Sequence, residues 1–224
     1  METKLQEVIL GCDLGKVRDY TALCAIERWQ EYCNWPYEHH ENGECQYRLV
    51  YLERFPLNTD YDDQIEYTKI IFDDAMARYE DKNIKPELII DATGPGLPMY
   101  DHFKKVIRGV KGAYFTSGHD VNHEGGVYYI PKKHLATNLQ IILQGKRLKF
   151  GRNIKETVTL KKELMNFQYK FNEQTGNATF EHWRERDHDD CVLAVAIALW
   201  YSEKGRKRVT RREMDAWKSI RESM

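Results

Sequence analysis

Short apolar runs bounded by turn-forming residues alternate with longer amphipathic stretches along this chain. Val8 to Asp13 reads as a buried strand, and Thr21 to Arg28 as its hairpin partner across a turn at Leu14 to Tyr20. Trp29 to Gln46 is polar and aromatic without periodicity, which predicts a long loop or a hairpin extension. Tyr47 to Phe55 alternates as a third strand. From Asp60 to about Tyr79 the pattern turns helical, with Ile65, Ile70, Ile71, Ala75 and Met76 as its apolar stripe. Pro86 then introduces ELIID, a continuous apolar run of the parallel-strand type.

The second half keeps alternating. The turn ATGPGLP leads into a helix from Met99 to Ile107, followed by a strand from Val110 to Phe115. Thr116 to Gly126 reads as loop and Val127 to Ile130 as a short strand. Pro131 is expected at the first position of a helix running from Lys132 to Leu143, closed by Gln144-Gly145. Arg147 to Phe150 is extended and Thr157 to Phe167 helical. Gln168 to Phe171 and Asn177 to Phe180 flank NEQTG as an expected hairpin, and Asp187 to Tyr201 is the last core helix. Three antiparallel strands, a helix, a parallel strand and then alternating helix and strand predict an α/β fold with a ribonuclease H-like mixed sheet flanked by helices. Residues 1–203 form that domain, and 204–224 a basic helix or tail.

Composition narrows the class. The chain has 224 residues, 42% hydrophobic and 31% charged, enough for a single core. Its longest apolar run, Cys191 to Tyr201, is too short for a bilayer span, and METKLQEVIL lacks a signal-peptide layout, so a non-secreted protein is expected. The five cysteines form no CxxC pair, which suggests a reducing compartment. Cys33, His39, His40 and Cys45 could be assembled into a zinc site, but their spacing fits no common finger and a polar loop is the preferred reading. A formal net charge of −1 hides an asymmetry: residues 1–102 carry 21 acidic and 10 basic side chains, and the rest carry 14 and 24. Such a split suits a polyanion on the basic half and cations held by the acidic half, although solvated helix faces would give the same counts.

Three carboxylates stand at the ends of apolar elements: Asp13 in GCDLGKVRDYTA, Asp91 in LIIDATGPG, and Asp190 in DHDDCVLAVAIALW. Gathered carboxylates repel one another and lose hydration unless a cation compensates them. Mg²⁺ or Mn²⁺ is the natural partner, because hard divalent ions take oxygen ligands. Two such ions can activate water and stabilise the leaving oxygen of a phosphodiester, with the acids as ligands. Each acid also has a plain structural reading, as strand terminator or helix cap. Asp189 competes with Asp190 for the third place, whereas Asp19 and His188 are better read as turn and capping residues.

Several segments together resemble the nuclease domain of phage terminase large subunits. They are GCDLGKVRDYTALCAIE, LIIDATGPGLPMYDHFKK, YFTSG, YIPKKHLATNLQIILQGKRLKF and HDDCVLAVAIALW, in order from about residue 11 to residue 200. The resemblance implies metal-dependent cutting of double-stranded DNA with little sequence preference, by Asp13, Asp91 and Asp190 with two Mg²⁺ or Mn²⁺ ions. It further implies Lys132 and Lys133 as DNA-facing residues, and a setting in the host cytoplasm during virus assembly. Partners would be a terminase ATPase domain, the small terminase subunit and the portal. No GxxxxGK[ST] phosphate loop occurs in the chain, so no motor ATPase is encoded in these residues. Alternatives are a junction resolvase or transposase-type nuclease of the same fold, a non-catalytic DNA-binding module, or an actin/sugar-kinase-like ATPase suggested by Asp13-Leu14-Gly15. The last needs two domains around its nucleotide, more chain than is present.

Overall fold

The computed structural model describes residues 2–15, 19–35, 38–41, 45–93, 97–172 and 189–205. Nine strands form one mixed sheet: β1 (Glu2–Asp13), β2 (Ala22–Trp35), β3 (Glu38–Glu41), β4 (Gln46–Arg54), β5 (Glu87–Asp91), β6 (Lys111–Thr116), β7 (Asn122–Glu124), β8 (Val127–Pro131) and β9 (Leu148–Phe150). Their order is β7-β8-β6-β5-β1-β2-β4-β9, with β3 pairing β2 off this path. β2 is antiparallel to both of its neighbours, β1 and β4, whereas β5, β6 and β8 continue parallel to β1. This is the ribonuclease H-like arrangement, and the first strand lies at its centre.

Side chains alternate across the sheet and so sort into two cores. On one face Val8, Leu10, Cys12, Leu88 and Ile90 pack beneath α1 (Tyr61–Tyr79) and α2 (Leu97–Val106). On the other, Ile9, Cys24, Ile26, Leu49 and Ile89 meet α3 (Lys132–Gln144), α4 (Thr157–Asn172) and α5 (Asp190–Trp200). Every residue of α5 is buried. A helix apolar on all sides needs cover on all sides, and α5 is enclosed by β1, β2, α3 and α4. Gly11 lets α5 lie directly on the central strand: a Cβ there would sit 2.2 Å from the Ala194 carbonyl oxygen and 2.9 Å from Ala198 Cβ.

Several sequence expectations need correction. β1 begins at Glu2 rather than Val8, because its polar first half is satisfied by partners distant in sequence. Glu7 pairs with Arg28 at 2.9 Å and accepts a hydrogen bond from Ser202 Oγ at 3.1 Å. Of the two readings of the stretch from Trp29 onward, the hairpin extension holds, β2 running to Trp35 and pairing β3. Cys33, His39 and His40 fall on that hairpin, while the Cys45 thiol lies 2.8 Å from Arg28 Nη2 and 2.7 Å from Gln30 Oε1. Gln168 to Phe171 is helical as the end of α4, since alternating aromatics at 167, 169 and 171 imitate a strand period inside a continuing helix. Pro131 is the last residue of β8, with ψ at 127°, so Lys132 opens α3 instead. Ile70 is 57% exposed and does not join the α1 stripe. The loop expected over residues 116–126 contains the short strand β7. The start of the last helix at Asp187, the residue His188, the second half of the expected 168–180 hairpin and the basic tail beyond 205 lie outside the described residues.

Candidate metal centre

Asp13 is the last residue of β1 and 7% exposed, and Asp91 is the last of β5 and wholly buried. Cys12 pairs in parallel with Ile90, so the next step of the same register sets Asp13 and Asp91 abreast, about 4.8 Å apart between strands. Their alternation partners Ile9 and Ile89 belong to the α5 side of the sheet, which fixes the face both acids occupy. The chain leaving each strand is tied down. Asp91 Oδ1 accepts a hydrogen bond from Thr93 N at 2.7 Å, and Thr93 Oγ1 accepts one from Phe115 N at 2.8 Å. After Asp13, the Thr21 hydroxyl donates to Gln64 Oε1 at 2.8 Å and accepts from Gly15 N at 3.0 Å.

Asp190 is the first residue of α5 and 3% exposed. α5 runs opposite to β1: Ala194 sits on Gly11, whereas Tyr201 OH donates to Glu87, the first residue of β5, at 2.6 Å and Ser202 reaches Glu7, earlier in β1 than Gly11. Asp190 is one turn before Ala194 on the same helix face, so it is carried towards Asp13. Asp189 is the N-cap, its side chain makes no capping hydrogen bond, and successive helical residues diverge by about 100°. Asp13 and Asp91 therefore share one sheet edge and one face, and Asp190 begins the helix that packs on that face. Among the described residues, however, no three acidic, histidine or cysteine side chains lie close enough to form a ready ion cage.

Two further residues belong to this neighbourhood and escape the sequence reading. Glu163 of α4 is 6% exposed, its Oε2 accepting a hydrogen bond from Val192 N at 2.9 Å and its Oε1 buried without a hydrogen-bond partner. Burial chiefly pushes its pKa up to about 7; Asp190 and Asp189 raise it further, while the Val192 amide and Arg54 draw it down. The available signal was a carboxylate set inside the Leu160, Leu164, Phe167 stripe. Because the folded pKa lies above the unfolded value, Glu163 favours folding at low pH and loses that contribution as pH rises through about 7. Thermal melts in chelator should accordingly show Glu163→Gln gaining several degrees over the parent at pH 8 and nothing at pH 4.5. Equal behaviour at both pH values would contradict this. The second residue is Arg54, which ends β4, pairs with Glu156 at 3.4 Å and lies 4.4 Å from the Tyr20 ring centroid.

Lys132 and Lys133 open α3 at the same edge. β8 is parallel to β6 and β5, and Pro131 pairs with Thr116, as Asp91 pairs with Ala113. α3 thus starts at the carboxyl end of the parallel strands, where a helix N-terminus favours anions. Lys132 and Lys133 are both half-buried, and Lys133 Nζ contacts His119 Nδ1.

No protein-family model matches the chain, and no curated protein matches it. Among solved structures it is similar to the human cytomegalovirus terminase nuclease domain, soaked with Mn. The TM-score is 0.48 and the identity 14%, over 91% of this chain and 87% of that one. A likeness of that size transfers no activity. Among the described residues no helix is long and apolar enough to cross a membrane.

Proposed function

We propose that this chain is a metal-dependent nuclease that cuts double-stranded DNA with little sequence preference, serving as the genome-cutting domain of a viral DNA-packaging terminase. The observation that carries the nuclease reading is the placement of Asp13 and Asp91 abreast on β1 and β5, beneath a helix that begins with Asp190. The donors are carboxylate oxygens, all three acids are buried, and Glu163 Oε1 nearby is buried without a hydrogen bond. Such a set fits hard divalent cations, Mg²⁺ or Mn²⁺. Bound ions would neutralise the acids and supply an activated water and a stabilised leaving oxygen for phosphodiester hydrolysis. Asp13 on the central strand, Asp91 and Asp190 would be the residues that hold them. The terminase assignment, with its ATPase, small-subunit and portal partners, rests on the sequence motifs described above.

Supercoiled plasmid tests the reading directly. With Mn²⁺ it should be nicked and then linearised, and with chelator it should remain intact. Asp190→Ala should abolish cutting, whereas Asp189→Ala should retain at least a third of the parent rate; the reverse pattern would move the third ligand to Asp189. Plasmid left intact at every metal concentration would refute the nuclease reading.

Lys132 and Lys133 would hold the DNA backbone beside the acids. Replacing both by Ala should weaken duplex binding about tenfold near physiological salt. The slope of log affinity against log salt should fall by about 2, one for each phosphate no longer neutralised. An unchanged slope would remove both residues from the DNA path.

A further inference from the structure

Asp13 pairs with Ala22 across β1 and β2, and Ala22 pairs with Arg54 across β2 and β4. The acid and the arginine therefore stand at one level of the sheet, two strand spacings or about 10 Å apart at Cα. Both occupy the same face. Cys24 and Leu52 pair one step below and belong to the core beneath α5, and alternation returns Ala22 and Arg54 to that side. The Arg54 charge reaches the start of α5, since it draws down the pKa of both Glu163 and Cys191.

The guanidinium is held but not saturated. It stacks at 4.4 Å on Tyr20, in the segment that follows Asp13. Its approach to Glu156 is at Nε, at 3.4 Å, and Nε has no hydrogen-bond partner, so this pair is Coulombic rather than a bidentate fork. The side chain keeps 23% of its surface exposed. A planar cation with unspent donors, fixed by an aromatic face at the sheet level of Asp13, suits a tetrahedral anion. Any polyanion crossing those acids also needs a positive group to offset its repulsion from them.

We propose that Arg54 binds a non-bridging oxygen of the phosphodiester that the carboxylate edge acts upon, making it a catalytic residue alongside Asp13, Asp91 and Asp190. This rests on the nuclease reading above. A phosphate bound over Asp13 would lie within reach of the Arg54 side chain, two strands away at the same level of the sheet.

The test compares the full chain with its Arg54→Ala and Arg54→Lys variants in single-turnover plasmid cutting at saturating protein. Arg54→Ala should cut at least tenfold slower, with the Mn²⁺ half-saturation unchanged and duplex binding in Ca²⁺ within threefold of the parent. Arg54→Lys should recover part of the rate, because it restores charge without the fork. Melts report folding, and Arg54→Gln, which keeps the stem over Tyr20, is read instead if the alanine variant melts early. The inference is overturned if the parent cuts and the variant rate is within twofold of it. It is equally overturned if added Mn²⁺ restores the rate, since Arg54 would then only order the acids. A parent chain that never cuts sinks the nuclease reading itself, a separate and visible outcome.

Discussion

Asp13→Asn should yield a folded protein that has lost plasmid cutting by at least about 10³-fold. Asn has the same shape and keeps a hydrogen-bonding oxygen, but it removes the charge that would hold a cation. Metal assistance is worth several kcal/mol of transition-state stabilisation, and each 1.36 kcal/mol is a factor of ten. The fold should not suffer. Asp13 and Asp91 sit abreast on adjacent strands at 7% and 0% exposure, so neutralising one relieves a like-charge repulsion. The Asn variant should therefore melt at or above the parent temperature in chelator. The upward shift in melting temperature that Mn²⁺ gives the parent should shrink or vanish, because an ion that binds only the folded state stabilises by mass action. Cutting retained within tenfold would remove Asp13 from the chemistry. Abolished cutting with an undiminished Mn²⁺ shift would instead leave ion binding to Asp91, Asp190 and Glu163.

What could be read from residues alone follows a physical division. The strand-end positions of Asp13 and Asp91 were legible because each interrupts an apolar run at its end, and a parallel pair of such strands brings their ends to one edge. The place of Asp190 was legible for the same reason, at the start of an apolar helix. Glu163 was hidden because a single acid inside an amphipathic helix is the commonest of surface patterns. Only tertiary packing shows that this one meets the α5 N-terminus. Arg54 was hidden for another reason: its relation to Asp13 passes through Ala22, a residue with no chemistry of its own. The early start of β1 was missed because Glu7 looks like a surface residue until Arg28 and Ser202 are placed against it. Pairing across the fold, rather than local pattern, accounts for each of these.

The largest expected effect on stability comes from the position where α5 meets the central strand. Gly11→Ala should lower stability by about 2–3 kcal/mol, the range for forcing extra volume into a packed core. Melting should fall by about 5–10 °C, since a chain of this size loses roughly 2–4 °C per kcal/mol. The added methyl would lie 2.2 Å from the Ala194 carbonyl oxygen, and main chain cannot rotate aside as a long side chain would. Relief requires α5 to lift from β1 by about 1 Å towards normal van der Waals contact. The enclosing α3 and α4 oppose that movement. A second substitution identifies the cause. Ala198→Gly removes the second contact, at 2.9 Å, but leaves the Ala194 oxygen in place, so the double variant should remain close to Gly11→Ala. Lifting α5 also draws Asp190 away from Asp13 and Asp91, so the surviving folded fraction should require more Mn²⁺ for half-maximal cutting. A Gly11→Ala protein that melts within 2 °C of the parent would mean that α5 is not seated on β1 as described.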